Sequence, residues 1–297
     1  MSQPDENQTA TLLVSCPDRK GLVAALGQLL YGHGVNIIDA DQHTDSSAGL
    51  FFQRIRMDLR ELHTDRHAFE RAIAEVADRF KMTYRIAYGD KPPRVAILVS
   101  KYDHCLHDLL WRHRAGELRC EIPIIVSNHP DLAPAAAVYG IPFHCFPVGS
   151  RDAAGAQATD KAAQEARITE LLERERIDLV ILARYMQVIS PELCARYPER
   201  MINIHHSFLP AFVGGKPYHQ AYERGVKIIG ATAHYVTEEL DQGPIIEQDV
   251  TRVSHRDYVA DMVRKGRDLE RIVLSRAVRV HLEDRVLVCG NKTVVFD

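Results

Sequence analysis

Several chemical signatures are missing from this 297-residue sequence, and each absence excludes a class of protein. The six cysteines are widely spread and form no C-x-x-C pair, which argues against both a disulfide framework and a structural zinc site. No apolar run approaches the roughly 20 residues of a membrane helix, and the polar N-terminus has no apolar core of a signal peptide. The formal charge is -3 and the Lys and Arg residues do not cluster, so the sequence lacks the basic surface expected of a protein that binds nucleic acid. We therefore expect a cytoplasmic protein that binds neither nucleic acid nor membranes.

Common catalytic motifs are also missing. There is no G-x-S-x-G for a serine hydrolase, no H-E-x-x-H for a zinc enzyme and no G-x-G-x-x-G for a dinucleotide. Because other serine hydrolases lack the first motif, its absence excludes that class only weakly. What is present is 46% hydrophobic and 26% charged residues, a composition typical of globular protein, over a length that suggests two domains.

The first 90 residues alternate between strand and helix patterns in the order β-α-β-β-α-β. "TLLVSC", "VNIIDADQHT", "LFFQRIRMDL" and "MTYRIAY" predict strands, and "KGLVAALGQLLYGHG" and "DRHAFERAIAEVADRF" predict helices. This order is the ferredoxin-like split βαβ arrangement. We predict a first domain over 8–89 and a linker over 90–93, where two prolines interrupt the pattern.

From residue 94 onward, near-continuous apolar runs alternate with helical patterns. "VAILVS", "IPIIVS" and "DLVILA" are typical of strands buried on both faces, and "TDKAAQEARITELLERERI" predicts a helix between two of them. The alternation predicts a second domain over 94–297 with a doubly wound, mostly parallel sheet. "KIIGATAHYV" and "GPIIEQDVTRV" follow, then a long helix near 256–281 and a C-terminal hairpin that turns at Gly290. The chain is therefore predicted to be an α/β protein of two domains.

Polar residues gather where one buried strand ends, in "MINIHHSFLP". Asn203 and His205 lie two residues apart and so share one face of the strand, at the sheet edge where open α/β sheets bind ligands. An amide and an imidazole can donate together to a developing oxyanion, and Asp241 in "EELDQGPI" could return to the same edge. His205 and His206 point to opposite faces, which disfavours a shared metal, although His234 and Asp241 could be recruited to one. The residues alone leave open a purely structural role for all of them.

The stretch "INIHHSFLPAFVGGKPYHQAYERGVKIIGATAHYVTEELDQGPIIEQ" resembles the signature of the formyltransferase fold that uses 10-formyltetrahydrofolate. The resemblance covers 94–297 and implies that Asn203, His205 and Asp241 are catalytic. It implies supporting roles for His234, Ser207 and His206. The folate would lie against two segments, within 182–188 and 236–241, and the implied contacts are Leu182, Arg184, Tyr185, Met186, Val188, Val236, Glu238 and Leu240.

Two further features resemble the branch of this family that hydrolyses the formyl group instead of transferring it. No glycine occurs between Ser100 and Gly116, where transferases carry a Gly-rich phosphate-binding turn. "CPDRKGLVAALGQLLYGHGVNI" resembles an ACT domain, a small regulatory module that the transferases lack. The implied function is hydrolysis of 10-formyltetrahydrofolate to tetrahydrofolate and formate, which supplies formate for purine biosynthesis and balances one-carbon pools. The alternatives are formyl transfer to an amine acceptor and, outside enzymes, a folate-binding sensor.

The resemblance also implies the ligands and partners of the chain. Folate is the substrate, and neither a metal nor another cofactor is expected. The ACT domain implies a homo-oligomer and an amino-acid effector, glycine or methionine, unless the domain only dimerises. The implied effector contacts are Asp18, Lys20, Gly21 and Asn36.

Overall fold

The structure, a computed structural model, describes residues 5–148, 160–210 and 217–297. Residues 211–216 of the formyltransferase-like stretch lie outside the described residues. The chain folds into two compact units: Met1–Pro92 with Glu283–Cys289 and Val294–Asp297, and Pro93–Leu282 with Gly290–Thr293. In the described ranges, none of the helices has the length and apolar character that crossing a bilayer would need.

The first unit is a four-stranded antiparallel sheet with two helices, as the alternating pattern predicts. Its sheet order is β2-β3-β1-β4, in which β1 pairs with both β3 and β4. Leu12, Leu26 and Phe69, each at most 1% exposed, belong to the core that the sheet shares with both helices. The elements are β1 (Thr9–Pro17), α1 (Leu22–Gly32), β2 (Asn36–Asp45), β3 (Leu50–Asp58), α2 (Arg66–Phe80) and β4 (Thr83–Tyr88).

The second unit is built on a seven-stranded sheet in the order β11-β10-β9-β8-β5-β6-β7. Strands β9, β8, β5, β6 and β7 pair in parallel, and β10 and β11 continue the sheet antiparallel. The elements are β5 (Arg94–Val99), α3 (His104–Arg114), β6 (Glu121–Ser127), α4 (Ala133–Val138), β7 (Phe143–Cys145), α5 (Lys161–Arg174), β8 (Leu179–Ala183), α6 (Pro191–Arg196), β9 (Met201–His205), α7 (Pro217–Arg224), β10 (Ile228–Tyr235), β11 (Ile245–Arg252) and α8 (Val259–Leu282). The prediction of a mostly parallel α/β sheet is confirmed.

The central strands of this sheet are covered on both faces. Residues 95–99 of β5 are fully buried, and all of β8 is buried, as expected of apolar runs without alternation. The short elements α4, β7, α6 and α7 were not predicted, because three to eight residues are too few to establish a period.

The C-terminal hairpin, β12 (Val286–Cys289) and β13 (Lys292–Val295), turns at Gly290 as predicted. The predicted second domain extends to residue 297, whereas residues 283–289 and 294–297 belong to the first unit. The reason is local packing: Leu287 and Val294 pack in one cluster with Leu13 and Phe52. Arg54, only 6% exposed, also donates hydrogen bonds to the backbone carbonyls of residues 283 and 284.

Candidate active site

Two neighbouring strands, β9 and β10, place polar side chains side by side where the parallel part of the sheet ends. Leu182 of β8 is in register with Asn203 of β9, and Asn203 is in register with His234 of β10. His205 is the last residue of β9 and pairs with Thr232. Because side chains alternate along a strand, Asn203 and His205 both face the cavity at this sheet edge, as their spacing predicts.

The loop after β10 folds back over the strand ends and brings Asp241 to the same place. Its base is closed by hydrogen bonds from the Tyr235 N–H to the Pro244 carbonyl (2.9 Å) and from the Val236 N–H to the Met201 carbonyl (2.8 Å). Asp241 lies in the left-handed region, with φ of 58°, and its Oδ2 is 3.2 Å from His205 Nδ1. The sequence suggests that Asp241 returns to this edge of the sheet but cannot establish it, because the position of Asp241 depends on how the loop is closed.

Gly243 permits that closure. A Cβ at this position would lie 1.8 Å from the Tyr235 carbonyl oxygen, so any larger residue must open the base of the loop. We expect Gly243→Ala to displace Asp241 and to lower the rate of the chemical step about 100-fold, since an error of about 1 Å in a catalytic group has that effect. Steady-state kinetics with the substrate that the resemblance implies, 10-formyltetrahydrofolate, measures it. Gly27→Ala in α1, where a Cβ meets nothing within 4 Å, is the control; equal rates for both variants would contradict the role of Gly243.

The hydrogen bonds of His234 fix its tautomer and the orientation of Asn203. His234 Nδ1 is 2.9 Å from the Tyr235 carbonyl, which can only accept, so Nδ1 carries the proton. In the neutral ring, Nε2 is then an acceptor, and Asn203 Nδ2 donates to it over 3.2 Å. At 3.7 Å, Asp241 Oδ1 is too far from Nε2 for a hydrogen bond. The amide group of Asn203 is therefore held with a second N–H to offer to a ligand.

Asp241 is the fixed anion of the site. Burial raises the pKa of its carboxyl, but the hydrogen bond from His205 and the charge that its imidazolium carries outweigh burial and hold the pKa well below its ordinary value. The carboxylate therefore accepts a hydrogen bond from His205 Nδ1 and is a poor proton acceptor itself. His205 Nε2 is buried and has no hydrogen-bond partner among the described residues, so it is available for proton exchange.

One cavity of about 550 Å³ contains these side chains. Asn203, His205, His206, His234 and Asp241 all line it. The eight residues predicted to contact folate line the same cavity: Leu182, Arg184, Tyr185, Met186, Val188, Val236, Glu238 and Leu240. Its size and mixed apolar and polar lining suit a ligand as large as a folate.

Ser207 is buried and belongs to the support of the strand end. Thr232 Oγ1 donates to the Ser207 carbonyl (2.9 Å) and accepts from the Leu209 N–H (3.1 Å). Thr232 itself is fully buried, so these bonds fix the course of the chain directly after His205. Ser207 does not line the cavity.

His206 stands against the cavity wall next to His205, with ring centroids 5.2 Å apart. Burial lowers its pKa from the ordinary 6.5, and the positive charge of Arg184 lowers it further, to about 4. A neutral imidazole therefore faces the cavity at physiological pH.

This depressed pKa predicts a pH dependence of stability. The unfolded chain binds a proton at His206 near pH 6.5, and the folded chain binds it only near pH 4. The free energy of unfolding therefore does not depend on His206 above about pH 6.5, and it decreases as the pH falls toward 4, because only the unfolded chain takes up the proton there. The full loss, reached below pH 4, is about 3 kcal/mol, since each pH unit between the two pKa values corresponds to about 1.4 kcal/mol. We expect His206→Gln to remove this slope from urea-unfolding free energies measured between about pH 7 and about pH 4.5. His219→Gln, at an exposed position nearby, is the control and should keep the slope.

A second buried cluster on the cavity wall was missed by the sequence reasoning. Glu270 of α8, 1% exposed, accepts hydrogen bonds from His104 Nε2 (2.7 Å) and Tyr218 OH (2.8 Å). Burial raises the pKa of Glu270, but the hydrogen bonds from His104 and Tyr218 and the positive charges of Arg184 and His104 outweigh burial, so the pKa is lowered. The available signal was a glutamate on the apolar face of an amphipathic helix, between Leu269 and Val273.

Within the described residues, the ligand atoms of His104, Cys105 and Glu270 form the one group close enough to hold a metal ion. Burial raises the pKa of the Cys105 thiol well above its ordinary value, which disfavours the thiolate that a metal needs. His104 and Glu270 are already hydrogen-bonded to each other. This chemistry favours a hydrogen-bonded cluster over a metal site.

The predicted effector residues lie in the first unit, and all four are exposed. Asp18, Lys20 and Gly21 follow the end of β1, where its last residue pairs with Leu50. Asn36 begins β2 and pairs with Asp58, which pairs with Thr9 at the start of β1. One small molecule cannot contact both ends of this sheet within one chain. The effector contacts stay a prediction, and they require a site between two copies.

Comparison with known protein families identifies both units. The family model described as formyl transferase matches residues 93–278, and the ACT domain model matches residues 10–76. The sequence is 55% identical to a formyltetrahydrofolate deformylase of Synechocystis over 98% of this chain and 99% of that protein. It is 48% identical to a formyltetrahydrofolate deformylase of Bacillus subtilis over 96% of this chain and 93% of that protein.

Solved structures give the same result. The crystal structure of a formyltetrahydrofolate deformylase from Pseudomonas syringae pv. tomato is similar, with a TM-score of 0.92 and 49% identity, covering 97% of this chain and 94% of that chain. Glycinamide ribonucleotide transformylase 1 from Symbiobacterium toebii, at a TM-score of 0.64 and 29% identity, covers 69% of this chain and 95% of that chain. The similarity to the transformylase is thus confined to a part of the chain.

Proposed function

The chain belongs to the formyltetrahydrofolate deformylases, and we propose that Asn203, His205 and Asp241 catalyse its reaction. The chain is a hydrolase that converts 10-formyltetrahydrofolate and water to tetrahydrofolate and formate. The observation that carries the residue assignment is the 3.2 Å contact of the Asp241 carboxylate with His205 Nδ1, in a cavity that Asn203 shares.

The first step is attack of water on the formyl carbon. His205 Nε2 takes a proton from the water while its oxygen forms a bond to that carbon. Asp241 keeps the other proton on Nδ1 and stabilises the imidazolium that forms, because its own pKa is too low to accept the proton. The formyl oxygen becomes an oxyanion, and the free N–H of Asn203 and the new N–H of His205 donate to it.

The second step is loss of tetrahydrofolate. The bond between the formyl carbon and N10 breaks, and the imidazolium of His205 returns its proton to N10. Formate then leaves as an anion, and the proton of formic acid passes to solvent. Every step uses the described side chains, water and the substrate, so we propose that the enzyme needs neither a metal nor another cofactor.

The test is formate release from 10-formyltetrahydrofolate by chelator-treated protein, with no amine added. We expect formate and tetrahydrofolate to appear in equal amounts at the rate of untreated protein. Turnover that requires an added amine would identify a transferase, and loss of activity that zinc restores would contradict the metal-free mechanism.

Further proposals concern partners and location. The ACT domain supports regulation by an amino acid such as glycine or methionine. An effector that contacts both Asp18 and Asn36 needs two copies of the chain, so we also propose a homo-oligomer. Sedimentation tests the oligomeric state, and a kinetic titration with each amino acid tests the regulation.

The predicted place of action is the cytoplasm, where the formate would serve purine biosynthesis and one-carbon balance.

A further inference from the structure

Arg184 combines a strained backbone conformation with a mostly buried guanidinium. It lies in the left-handed region, with φ of 62°, where a side chain is strained, and it is 8% exposed. Among the described residues it makes no hydrogen bond, and its Nε is fully buried without a partner. A buried N–H without a partner is unfavourable, and the other N–H donors of the guanidinium make no hydrogen bond to the described residues either. The cavity that Arg184 lines is where partners could be supplied.

The neighbouring carboxylate does not satisfy Arg184. Glu270 Oε2 is 3.4 Å from its Nε without hydrogen-bond geometry. Both oxygens of Glu270 already accept good hydrogen bonds, one from His104 and one from Tyr218. Glu270 therefore balances charge on this wall and leaves the guanidinium donors unused.

A second guanidinium lies on the same wall. Arg184 Cζ is 5.0 Å and Arg267 Cζ is 5.6 Å from the centroid of the Tyr102 ring. Arg267 is exposed and lines the cavity, and the ion pairs of the described residues do not include it. Among the described residues of the cavity, Glu270 is the one carboxylate beside the two guanidinium groups, so positive charge is in excess on this wall. The other acidic residues of the cavity, Glu238 and Asp241, lie on the loop after β10, and Asp241 is paired with His205.

We propose that Arg184 and Arg267, both beside the Tyr102 ring, form a subsite that binds a carboxylate. A planar guanidinium matches the two oxygens of a carboxylate, and the excess charge on the wall favours an anion. The proposal rests on the proposed function, since that reaction puts carboxylates into this cavity. Unlike Asn203, His205 and Asp241, these residues take no part in the bond-breaking steps.

Two carboxylates of the reaction could occupy the subsite. One is formate, which is released inside the cavity and is anionic at neutral pH. The other is a carboxylate of the glutamate tail of the folate. A formate-specific subsite would hold product after the folate has reacted, whereas a tail-binding subsite would contribute to substrate affinity.

The first experiment measures inhibition by sodium formate, with sodium chloride at equal ionic strength as the reference. We expect the formate inhibition constant of Arg184→Gly to rise about tenfold to a hundredfold, the range for losing a charge-assisted hydrogen bond. Arg176→Gly is the matched control, since Arg176 also has a positive φ, of 51°, but is exposed and outside the cavity. Glycine relieves the backbone strain in both variants, so they differ in the guanidinium that is lost.

The second experiment compares 10-formyltetrahydrofolate with 10-formyltetrahydropteroate, which lacks the glutamate. If the subsite binds the glutamate tail, Arg184→Gly and Arg267→Ala raise KM for 10-formyltetrahydrofolate but not for 10-formyltetrahydropteroate, and formate does not inhibit the wild type. If the subsite binds formate, the two variants leave both KM values in the same ratio as in the wild type, and what changes is the formate inhibition constant. Wild-type-like inhibition and KM in both variants would overturn the subsite. An enzyme that releases no formate at all would instead contradict the proposed function.

Discussion

Formate release by Asp241→Asn is expected to fall on the order of 10⁴-fold, with the fold intact. Asparagine keeps the shape of the side chain but brings an amide group to within hydrogen-bond distance of His205 Nδ1, which is 3.2 Å from the carboxylate. If the amide donates, Nδ1 must accept and the proton moves to Nε2, so the base is lost. A substitution of this kind has about this effect in other carboxylate–imidazole pairs. Single-turnover measurement of formate isolates the chemical step.

The matched control is Asp249→Asn on β11. Asp249 also holds an ion pair, with Arg276 at 3.1 Å, but it lies outside the cavity. We expect its rate to stay within about twofold of wild type, because a partly exposed ion pair contributes little. Comparable rates for wild type and Asp241→Asn would remove the carboxylate from the mechanism.

The sequence predicted those parts of the fold that depend on periodicity and residue order. The apolar runs of β5 and β8 indicated strands buried on both faces, and the βαββαβ order of the first unit follows from alternating patterns alone. Asn203 and His205 could be placed on one face because a strand has a period of two. Asp241 was a candidate from its turn-rich loop and the resemblance supported it, but its position depends on a loop that no periodicity describes.

Interactions between distant segments could not be predicted in this way. Glu270 meets His104 and Tyr218 only because α3, α7 and the middle of α8 come together around one cavity. Gly266 of α8 leaves room for this contact, since a Cβ there would lie 1.9 Å from the Tyr218 hydroxyl. Arg184 was predicted to contact folate, but its unused donors are visible only in the folded chain.

Asn203→Ala tests the other half of the mechanism, the stabilisation of the oxyanion. The amide is fixed by His234, whose Nε2 accepts from Asn203 Nδ2 over 3.2 Å, so one N–H is oriented before substrate binds. Removing one such donor typically lowers the rate about 10²- to 10³-fold. We expect that loss in kcat with little change in KM, because the bond strengthens only as negative charge develops. The loss should be smaller than that of Asp241→Asn, because Asn203→Ala removes one donor to the oxyanion whereas Asp241→Asn disables His205 as the base.

Two further variants make the result specific to the donor. Asn203→Asp keeps the shape, removes the N–H groups and adds a charge near Asp241, so we expect it to be slower than Asn203→Ala. Asn291→Ala, in the exposed turn of the C-terminal hairpin, should be fully active. Thermal melting of each variant separates a loss of chemistry from a loss of fold. A rise in KM with kcat unchanged would assign Asn203 to substrate binding, and His205 would then stabilise the oxyanion alone.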